Sequence, residues 1–474
     1  MKLGAVGLAA LGSPALAAAR RQARPNILWL VSEDNNPFSG AYGDKLARTP
    51  NIDALAGKGV LYRHVYATAP VCAPSRFAIL TGVNAQSCGP ANHMRAVAHL
   101  PPALRTYPEY MRSAGYYCTN NSKTDYNCDV EPARIWNESS NKAHWRNRPP
   151  GTPFLAVFNY MTTHESMLFR VTPGRVKPDD VRVPAYLPDT QDIRTDISSY
   201  YNLMEKMDGQ LGERLAELEA DGLAEDTIIF YYSDNGGVLP WSKRYANEAG
   251  LRVAMTVYVP PKWQHLAGVK PGTVVNAPTS LLDLAPTLLS LANIPVPRTM
   301  QGYAFLGPRR APAQRHAFGM RDRMDERYDF VRTLTDGRYR YVRNYMPHRQ
   351  YGMHGGFEWQ AKGYQDWERQ NMAGRTNPAQ ARFFKPKPFE ELYDRQGDPD
   401  GINNRIADPA LASVLRRLRQ ALDQQILAIN DNGFIPEGSP LEGWEPSRRP
   451  GAYPLRAIMA LAAGAASGRP ANLP

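Results

Sequence analysis

Three uninterrupted apolar runs in the first half of the chain each have the length of one strand: Asn26–Ser32, Phe154–Tyr160 and Thr227–Ser233. Runs that are apolar at every position are typical of strands buried on both faces of a parallel sheet. Within 200–218, apolar residues recur at helical spacing, and Gly222 follows as a stop signal. Another helix is predicted over 280–292. Strands that alternate with helices predict an α/β fold, with a large, mostly parallel sheet sandwiched by helices.

The pattern changes after about residue 310. Segment 330–345 alternates apolar and polar positions around Asp336-Gly337, which predicts an antiparallel hairpin. A helix is predicted around 411–427. We therefore expect three parts after residue 23: a large domain over 24–309, a smaller C-terminal α+β subdomain with an antiparallel sheet over 310–438, and a Pro/Ala-rich tail over 439–474.

The N-terminus has the pattern of an export signal. Lys2 precedes a short apolar stretch, and Ala15-Leu16-Ala17 provides an Ala-x-Ala cleavage site. We interpret residues 1–19 as a signal peptide, possessing only the back half of a twin-arginine signal, and expect a periplasmic or secreted bacterial protein. Downstream, no apolar run reaches the roughly 18 residues that a membrane span needs, so we expect no integral span.

The net charge of the chain indicates which class of partner it binds, and its cysteine content indicates whether disulfides hold it together. The 56 Lys and Arg residues against 45 Asp and Glu give a formal net charge of +11, which favours a polyanionic partner. No zinc-finger spacing or Lys/Arg run of nucleic-acid type is present, so we expect no nucleic acid. The 4 cysteines are too few for a disulfide scaffold. Cys118 and Cys128 are candidates for a pair, although buried free thiols are the simpler interpretation.

Polar residues suited to a metal site follow each predicted strand. They are Glu33-Asp34-Asn35, His164-Glu165-Ser166 and Asp234-Asn235. Ligands in open α/β sheets bind beyond the carboxyl ends of the strands. Carboxylate and amide oxygens are the donors that Ca²⁺ and Mg²⁺ prefer, so the three ends together predict a divalent-metal site. Any one of them alone would be read as a turn or a helix cap.

The segment Cys72-Ala73-Pro74-Ser75-Arg76, followed by Leu80-Thr81-Gly82, resembles the defining motif of the sulfatase family, C-x-P-S-R with a trailing L-T-G. Further matches occur in family order at 24–28, 49–56, 233–236, 248–253, 284–288 and 391–394. The resemblance implies an alkaline phosphatase-like fold and an enzyme that hydrolyses sulfate esters or sulfamates.

The resemblance also implies a mechanism. In sulfatases the motif cysteine is oxidised by a formylglycine-generating enzyme, so Cys72 would become formylglycine (3-oxoalanine), whose hydrate attacks sulfur. The implied metal ligands are Glu33, Asp34, Asp234, Asn235 and the modified Cys72. We expect Ca²⁺, with Mg²⁺ as the alternative, because the flexible Ca²⁺ sphere tolerates Glu33 where the family has Asp. Asp234 would also accept the attacking proton.

Four more residues take roles from the family motifs. Arg76 would hold the diol, Lys123 and Lys243 would bind the sulfate, and His164 would protonate the leaving group. Pro74 suits the first turn of a helix whose N-terminus faces the anion. Asp125 stands where the family has histidine. An anion beside bound sulfate is repulsive, so Asp125 is predicted only to line the substrate pocket.

The substrate class is the least specified feature. Nine positions separate Asp234 from Lys243, a short connection that resembles the N-sulfoglucosamine sulfohydrolase branch. Sulfated carbohydrates of glycosaminoglycan type are therefore expected, with a sugar-facing rim drawn from Arg323, Arg340, Tyr345, His348 and His354. Two alternatives stay open: a phosphonate or phosphate monoester hydrolase of the same superfamily, and a silent protein that only binds sulfated glycans. A two-metal alkaline phosphatase is disfavoured because paired histidine ligands do not accompany the acids.

Overall fold

The computed structural model describes residues 24–468. The strands in this span are β1 (Asn26–Ser32), β2 (Val60–Tyr62), β3 (Val65–Tyr66), β4 (Tyr117–Asn121), β5 (Glu138–Ser139), β6 (Phe154–Tyr160), β7 (Thr227–Ser233), β8 (Arg252–Val253), β9 (Met255–Tyr258), β10 (Val274–Val275), β11 (Thr279–Ser280), β12 (Ala317–Arg321), β13 (Val331–Thr335), β14 (Tyr339–Asn344) and β15 (Glu390–Asp394). The helices are α1 (Pro50–Lys58), α2 (Cys72–Thr81), α3 (Tyr107–Ser113), α4 (Pro132–Ile135), α5 (Gln191–Ala220), α6 (Glu248–Leu251), α7 (Leu284–Leu291), α8 (Lys362–Met372), α9 (Pro378–Ala381), α10 (Ala412–Ile429) and α11 (Leu455–Ala466).

An eight-stranded sheet forms the centre of the fold, in the order β10-β2-β9-β7-β1-β6-β4-β5. Its strands run parallel except β9, which pairs antiparallel with both β2 and β7. The central strand β1 lies between β6 and β7, with Leu28 opposite Ala156 and Ile229. The three apolar runs are β1, β6 and β7, with the predicted bounds. The α/β prediction with a mostly parallel sheet is therefore confirmed.

Alternate residues of β1 belong to two different hydrophobic cores. Trp29 packs in a cluster that includes residues of α3 and α7. Leu28 packs in a second cluster that includes residues of α1 and α5. Because successive side chains of a strand point to opposite faces, helices cover the sheet on both sides. A strand buried in this way has no polar face, which explains its continuous apolar sequence.

The C-terminal part contains a separate four-stranded antiparallel sheet, in the order β12-β13-β14-β15. The predicted hairpin is β13 and β14, with Leu334 opposite Tyr341. Gly337 adopts a left-handed conformation at φ 95°, which glycine tolerates without steric cost. Apolar residues of α10 and α11 pack in one cluster with Leu334 and with Cys72 of α2. This shared core fixes the antiparallel sheet against the helix that carries the sulfatase-like motif.

Several expectations concern the ends of the chain and the cysteines. The predicted signal peptide, residues 1–19, lies outside the described residues. No helix within 24–468 is long and apolar enough to cross a membrane. All four cysteines are free, and Cys118 and Cys128 do not form a disulfide. Cys88 and Cys118 are buried, as expected of free thiols, whereas Cys128 is half-buried.

Candidate active site

The carboxyl ends of β1 and β7 bring four metal-type ligands together. Ser32 lies opposite Ser233 in the sheet, so the residues that follow each strand meet at one edge. Asn235 Nδ2 donates to Asp34 Oδ1 at 2.9 Å, and the Asp34 amide donates to Asp234 Oδ1 at 3.2 Å. Carboxylate oxygens of Glu33, Asp34 and Asp234 lie within 4.8 Å of one another, and all three residues are buried.

This donor set fits a divalent cation of the Ca²⁺ or Mg²⁺ type. Three buried carboxylates repel one another. The pKa of Asp234 is raised to about 7, mainly because the carboxyl is buried and secondly because Glu33 is negatively charged. Asn235 Oδ1 is buried and has no hydrogen-bond partner among the described residues. Asp34 adopts a left-handed conformation at φ 49°, a strained geometry that is found at functional sites. A hard cation would neutralise the acids and use the free amide oxygen.

Cys72 is the first residue of α2 and is 3% exposed. Its Sγ lies within 4.8 Å of a Glu33 oxygen and a His164 ring nitrogen. Burial raises the pKa of the Cys72 thiol well above its usual value, despite the nearby Lys243. The thiol is therefore protonated at neutral pH, and an unmodified Cys72 is a poor nucleophile.

Arg76 lies one helical turn after Cys72 and binds the carboxylates beside it. Its Nε donates to Asp234 Oδ2 at 2.9 Å, its Nη1 donates to Asn159 Oδ1 at 2.9 Å, and its Nη2 donates to Glu33 Oε1. Burial acts to raise the pKa of Glu33, but Arg76 and Lys123 outweigh it and lower that pKa to about 2. Arg76 thus keeps Glu33 ionised and oriented towards the predicted metal ligands.

Two lysines and a histidine complete the cluster. Lys123 Nζ lies 3.4 Å from Glu33 Oε2, and Lys243 Nζ lies 2.7 Å from Asp34 Oδ2. His164 Nε2 lies 3.9 Å from the same Asp34 oxygen, and burial lowers the pKa of its ring. The structure therefore brings together every residue expected to carry chemistry.

Asp125 lies at the edge of this cluster. Its Oδ2 is 3.8 Å from Lys123 Nζ, and its side chain is 37% exposed. Lys123 therefore offsets the negative charge that would otherwise repel a bound sulfate. The placement is consistent with a pocket residue and gives Asp125 no direct contact with the acidic ligands.

Arg244 lies beside the candidate site and was not predicted from the sequence. Its guanidinium donates two hydrogen bonds to the Glu165 carboxylate, of 2.6 and 3.0 Å, and a third to Asp325 Oδ2 at 2.7 Å. Glu165 in turn lies 2.8 Å from Lys243 Nζ. Arg244 is a positioning residue, because it fixes the carboxylate that holds Lys243. Its only sequence signal is adjacency to Lys243, since its partners lie about 80 residues away in both directions.

Two residues of the predicted sugar-facing rim are buried and do not lie on an exposed rim. Arg340 is 2% exposed and pairs with Glu248, and Tyr345 is 8% exposed and stacks on Phe330. Both belong to the interior of the C-terminal sheet region, where an aromatic- and arginine-rich strand packs between layers. His348 and His354 are exposed. Arg323 is tied to Glu437 by two bonds, of 2.7 and 2.6 Å.

The family model for sulfatases matches residues 25–129 and 117–294, the span that contains this whole cluster. The chain belongs to the sulfatase family. This sulfatase is 37% identical to an ulvan-active sulfatase of Formosa agariphila over 464 residues, covering 87% of this chain and 76% of that protein. It is 26% identical to human N-sulphoglucosamine sulphohydrolase over 463 residues, covering 85% and 90% of the two chains. The sulfatase is accordingly a sulfuric ester hydrolase, as the motif implied.

Solved structures share the sulfatase's fold. One is BT4656 in complex with its substrate D-glucosamine-2-N,6-O-disulfate, with a TM-score of 0.62, 18% identity, and coverage of 86% of this chain and 99% of that chain. Another is the phosphonate monoester hydrolase of Silicibacter pomeroyi, with a TM-score of 0.62, 20% identity, and coverage of 87% and 97%. At these identities the likeness concerns the fold, which serves more than one reaction.

Proposed function

We propose that this sulfatase removes sulfate from sulfated carbohydrates, as an ester or a sulfamate, using formylglycine made from Cys72 and a bound divalent metal. The observation that carries the proposal is the position of Cys72, at the start of α2 and beside Glu33, whose carboxylate clusters with those of Asp34 and Asp234. Burial raises the pKa of the Cys72 thiol, so the unmodified side chain would be a weak nucleophile, and the proposal therefore assigns the nucleophile to formylglycine.

The metal would be held by Glu33, Asp34, Asp234, Asn235 and the modified Cys72, and we propose Ca²⁺ with Mg²⁺ as the alternative. When bound, such a cation lowers the pKa of a coordinated hydroxyl and polarises a sulfate oxygen. Formylglycine supplies a hydrated aldehyde as the nucleophile. A formylglycine-generating enzyme is therefore the required maturation partner.

The chain's own side chains would do the remaining work. Lys123 and Lys243 would stabilise negative charge that develops on the sulfuryl oxygens, because both ammonium groups are held beside the carboxylate cluster. Arg76 would hold the nucleophile, and Asp234 would accept its proton. His164 would give a proton to the leaving oxygen or nitrogen, and its Nδ1 is oriented by Ser166 Oγ at 2.9 Å.

The substrate proposal rests on the relatives and on charge. Two relatives, the ulvan-active sulfatase and the N-sulphoglucosamine sulphohydrolase, are named for action on sulfated carbohydrates. A net charge of +11 favours an acidic polysaccharide.

We propose export to the periplasm or the medium through residues 1–19. We also propose 24–309 as the catalytic domain, since every candidate catalytic side chain lies there, with 310–438 and 439–474 as C-terminal subdomain and tail.

The direct test is sulfate release by protein produced together with a formylglycine-generating enzyme. The panel holds N-sulfoglucosamine, glucosamine 6-O-sulfate, ulvan oligosaccharides and a phosphonate monoester. Release from the N-sulfated sugar alone would assign the sulfamidase branch, and release from the O-sulfated sugars would assign an ester hydrolase. Turnover of the phosphonate with silence on every sulfated sugar would refute the proposal.

A further inference from the structure

A cavity of about 270 Å³ lies between the catalytic side of the molecule and the C-terminal antiparallel sheet. One wall is formed by the segment that follows the active-site strands and includes Trp241 and Tyr245. The opposite wall is formed by β13, β14 and β15. Its lining does not include Cys72 or His164, nor the lysines of the candidate active site. We call this space the interface cavity.

The interface cavity is lined by seven basic side chains and four acidic ones. Three of the acids each form a close ion pair with a base: Glu248 with Arg340 at 2.8 Å, Asp329 with Lys387 at 2.6 Å, and Asp400 with Arg182 at 2.8 Å. A fourth base, Arg252, lies 3.9 Å from the other oxygen of Glu248. The fourth acid, Glu391, accepts from the Tyr351 hydroxyl and from Asn344 Nδ2, each at 2.7 Å. The cavity therefore has an excess of positive charge that its own carboxylates do not offset.

Three guanidinium groups account for that excess. Arg321 is 2% exposed, and its Nε has no hydrogen-bond partner among residues 24–468. The carboxylate beside it, Asp329 Oδ2, is 3.7 Å away and already bound by Lys387. The donors of Arg382 and Arg395 reach only backbone carbonyls and one tyrosine hydroxyl, and their Nε atoms are also unpartnered in this span.

The one carboxylate beside the buried Arg321 is shared with Lys387, and the half-buried Arg382 and Arg395 bind no side-chain carboxylate, so an oxyanion would supply counter-charge to all three. Guanidinium forks match the two oxygens of a carboxylate or sulfate. Trp241, Tyr245 and Tyr351 also line the cavity. Arg382 stacks on the Trp241 ring and Arg321 stacks on the Tyr245 ring, which orients both guanidinium groups. The volume is slightly below the range of about 300–1,000 Å³ typical of small-molecule sites, which suits one ring. Arg182, one of the lining residues, has a side chain that is 68% exposed.

We propose that the interface cavity is a second ligand site, which binds a sugar ring that carries a carboxylate or sulfate group. Arg321, Arg382 and Arg395 bind the oxyanion, and the ring occupies the rest of the cavity, which Tyr351 also lines. This site goes beyond the proposed function, because it requires neither turnover nor maturation of Cys72. A polyanionic chain that occupies both sites would be held at two points.

The test is titration calorimetry on protein made without the maturation enzyme, so that binding is measured in the absence of hydrolysis. The probes are glucuronate, glucosamine 6-O-sulfate and inorganic sulfate, and the variants are Arg321→Met and Arg395→Met. Arg338→Met is the matched control, since Arg338 forms a two-bond pair with Asp394 at the surface, away from the cavity lining. A crystal soak with the tightest probe locates it.

We expect at least one sugar probe to bind, with density in the interface cavity and a tenfold or greater loss of affinity in each cavity variant. Arg338→Met should bind as the unchanged protein does. Equal affinity in all four proteins, or no binding at millimolar concentration, would overturn the proposal. Inorganic sulfate binding as tightly as the sugars would overturn the assignment of a sugar ring. If Arg321→Met does not fold, Arg395→Met, at the more exposed part of the cavity, still decides the question.

Discussion

Replacing Arg244 by Met tests the network that positions Lys243. Arg244 and Glu165 are 4% and 8% exposed, and two charge-assisted bonds join them. Removing one partner of a buried ion pair typically costs about 3–5 kcal/mol. Glu165 keeps its contact with Lys243, so we expect the lower end, about 3 kcal/mol. Without these hydrogen bonds Glu165 no longer holds Lys243 in place, so kcat/KM should also fall by about 10–100-fold, as when residues that orient metal ligands are replaced.

The assay is urea denaturation together with sulfate release, for Arg244→Met and for the surface control Arg338→Met. Arg338 binds Asp394 with the same two-bond geometry, but its side chain is 52% exposed, so its removal should cost far less stability than that of Arg244. Adding Glu165→Gln to Arg244→Met should cost less than the sum of the two single changes. Equal, small losses for Arg244→Met and Arg338→Met, with full turnover, would refute the reasoning.

The same change should depend on pH in a defined direction. Burial acts to raise the pKa of Glu165, but Lys243 and Arg244 outweigh it and hold that pKa far below 4.5. A carboxyl with a lowered pKa contributes stability above its unfolded pKa and loses it as pH falls towards the folded value. The stability difference between the unchanged protein and Arg244→Met should therefore be largest near neutrality and shrink below about pH 4.5. A difference that grows in acid would contradict this assignment.

Three further predictions concern the candidate active site. Chelation with EDTA should abolish sulfate release and lower the melting temperature, with recovery on adding Ca²⁺; unaltered melting would argue against metal at the Glu33 and Asp34 cluster. Lys123→Ala should lower kcat/KM by about 10²–10³, as does removing one donor to a developing oxyanion, whereas a change confined to KM would indicate simple substrate binding. Asp125→Asn should change kcat/KM far less than Lys123→Ala, because Asp125 touches the site only through that lysine at 3.8 Å; a comparable loss would give Asp125 a direct role.

The central strands were predictable because a strand that is buried on both faces is apolar at every position. β1, β6 and β7 have no polar face, so their apolar runs coincide with their bounds. β4 carries Thr119 and Asn120 in its buried middle, and their polar side chains conceal it. The antiparallel direction of β9 also has no local sequence signal. It depends on how the chain returns to the sheet after α6, which is a long-range property.

The residues of the candidate site also differ in whether the sequence could predict them. Cys72, Arg76 and the strand-end acids follow from a short motif and from the rule that parallel strands end at one edge. Arg244 could not be identified, because its partners are fixed by tertiary folding. Arg340 and Tyr345 were expected on an exposed rim and are buried, because an arginine- and tyrosine-rich strand has the same composition at a surface rim and between packed layers. Burial distinguishes the two cases, and a single sequence does not report it.

The most direct test of the account is to measure sulfate release against the fraction of Cys72 converted to formylglycine. Mass spectrometry of the Cys72 peptide gives that fraction for protein made with and without a formylglycine-generating enzyme. We predict turnover proportional to the converted fraction, and none in a Cys72→Ala variant that melts like the unchanged protein. Sulfate release by Cys72→Ala, or silence of fully converted protein on every sulfated sugar, would contradict the account.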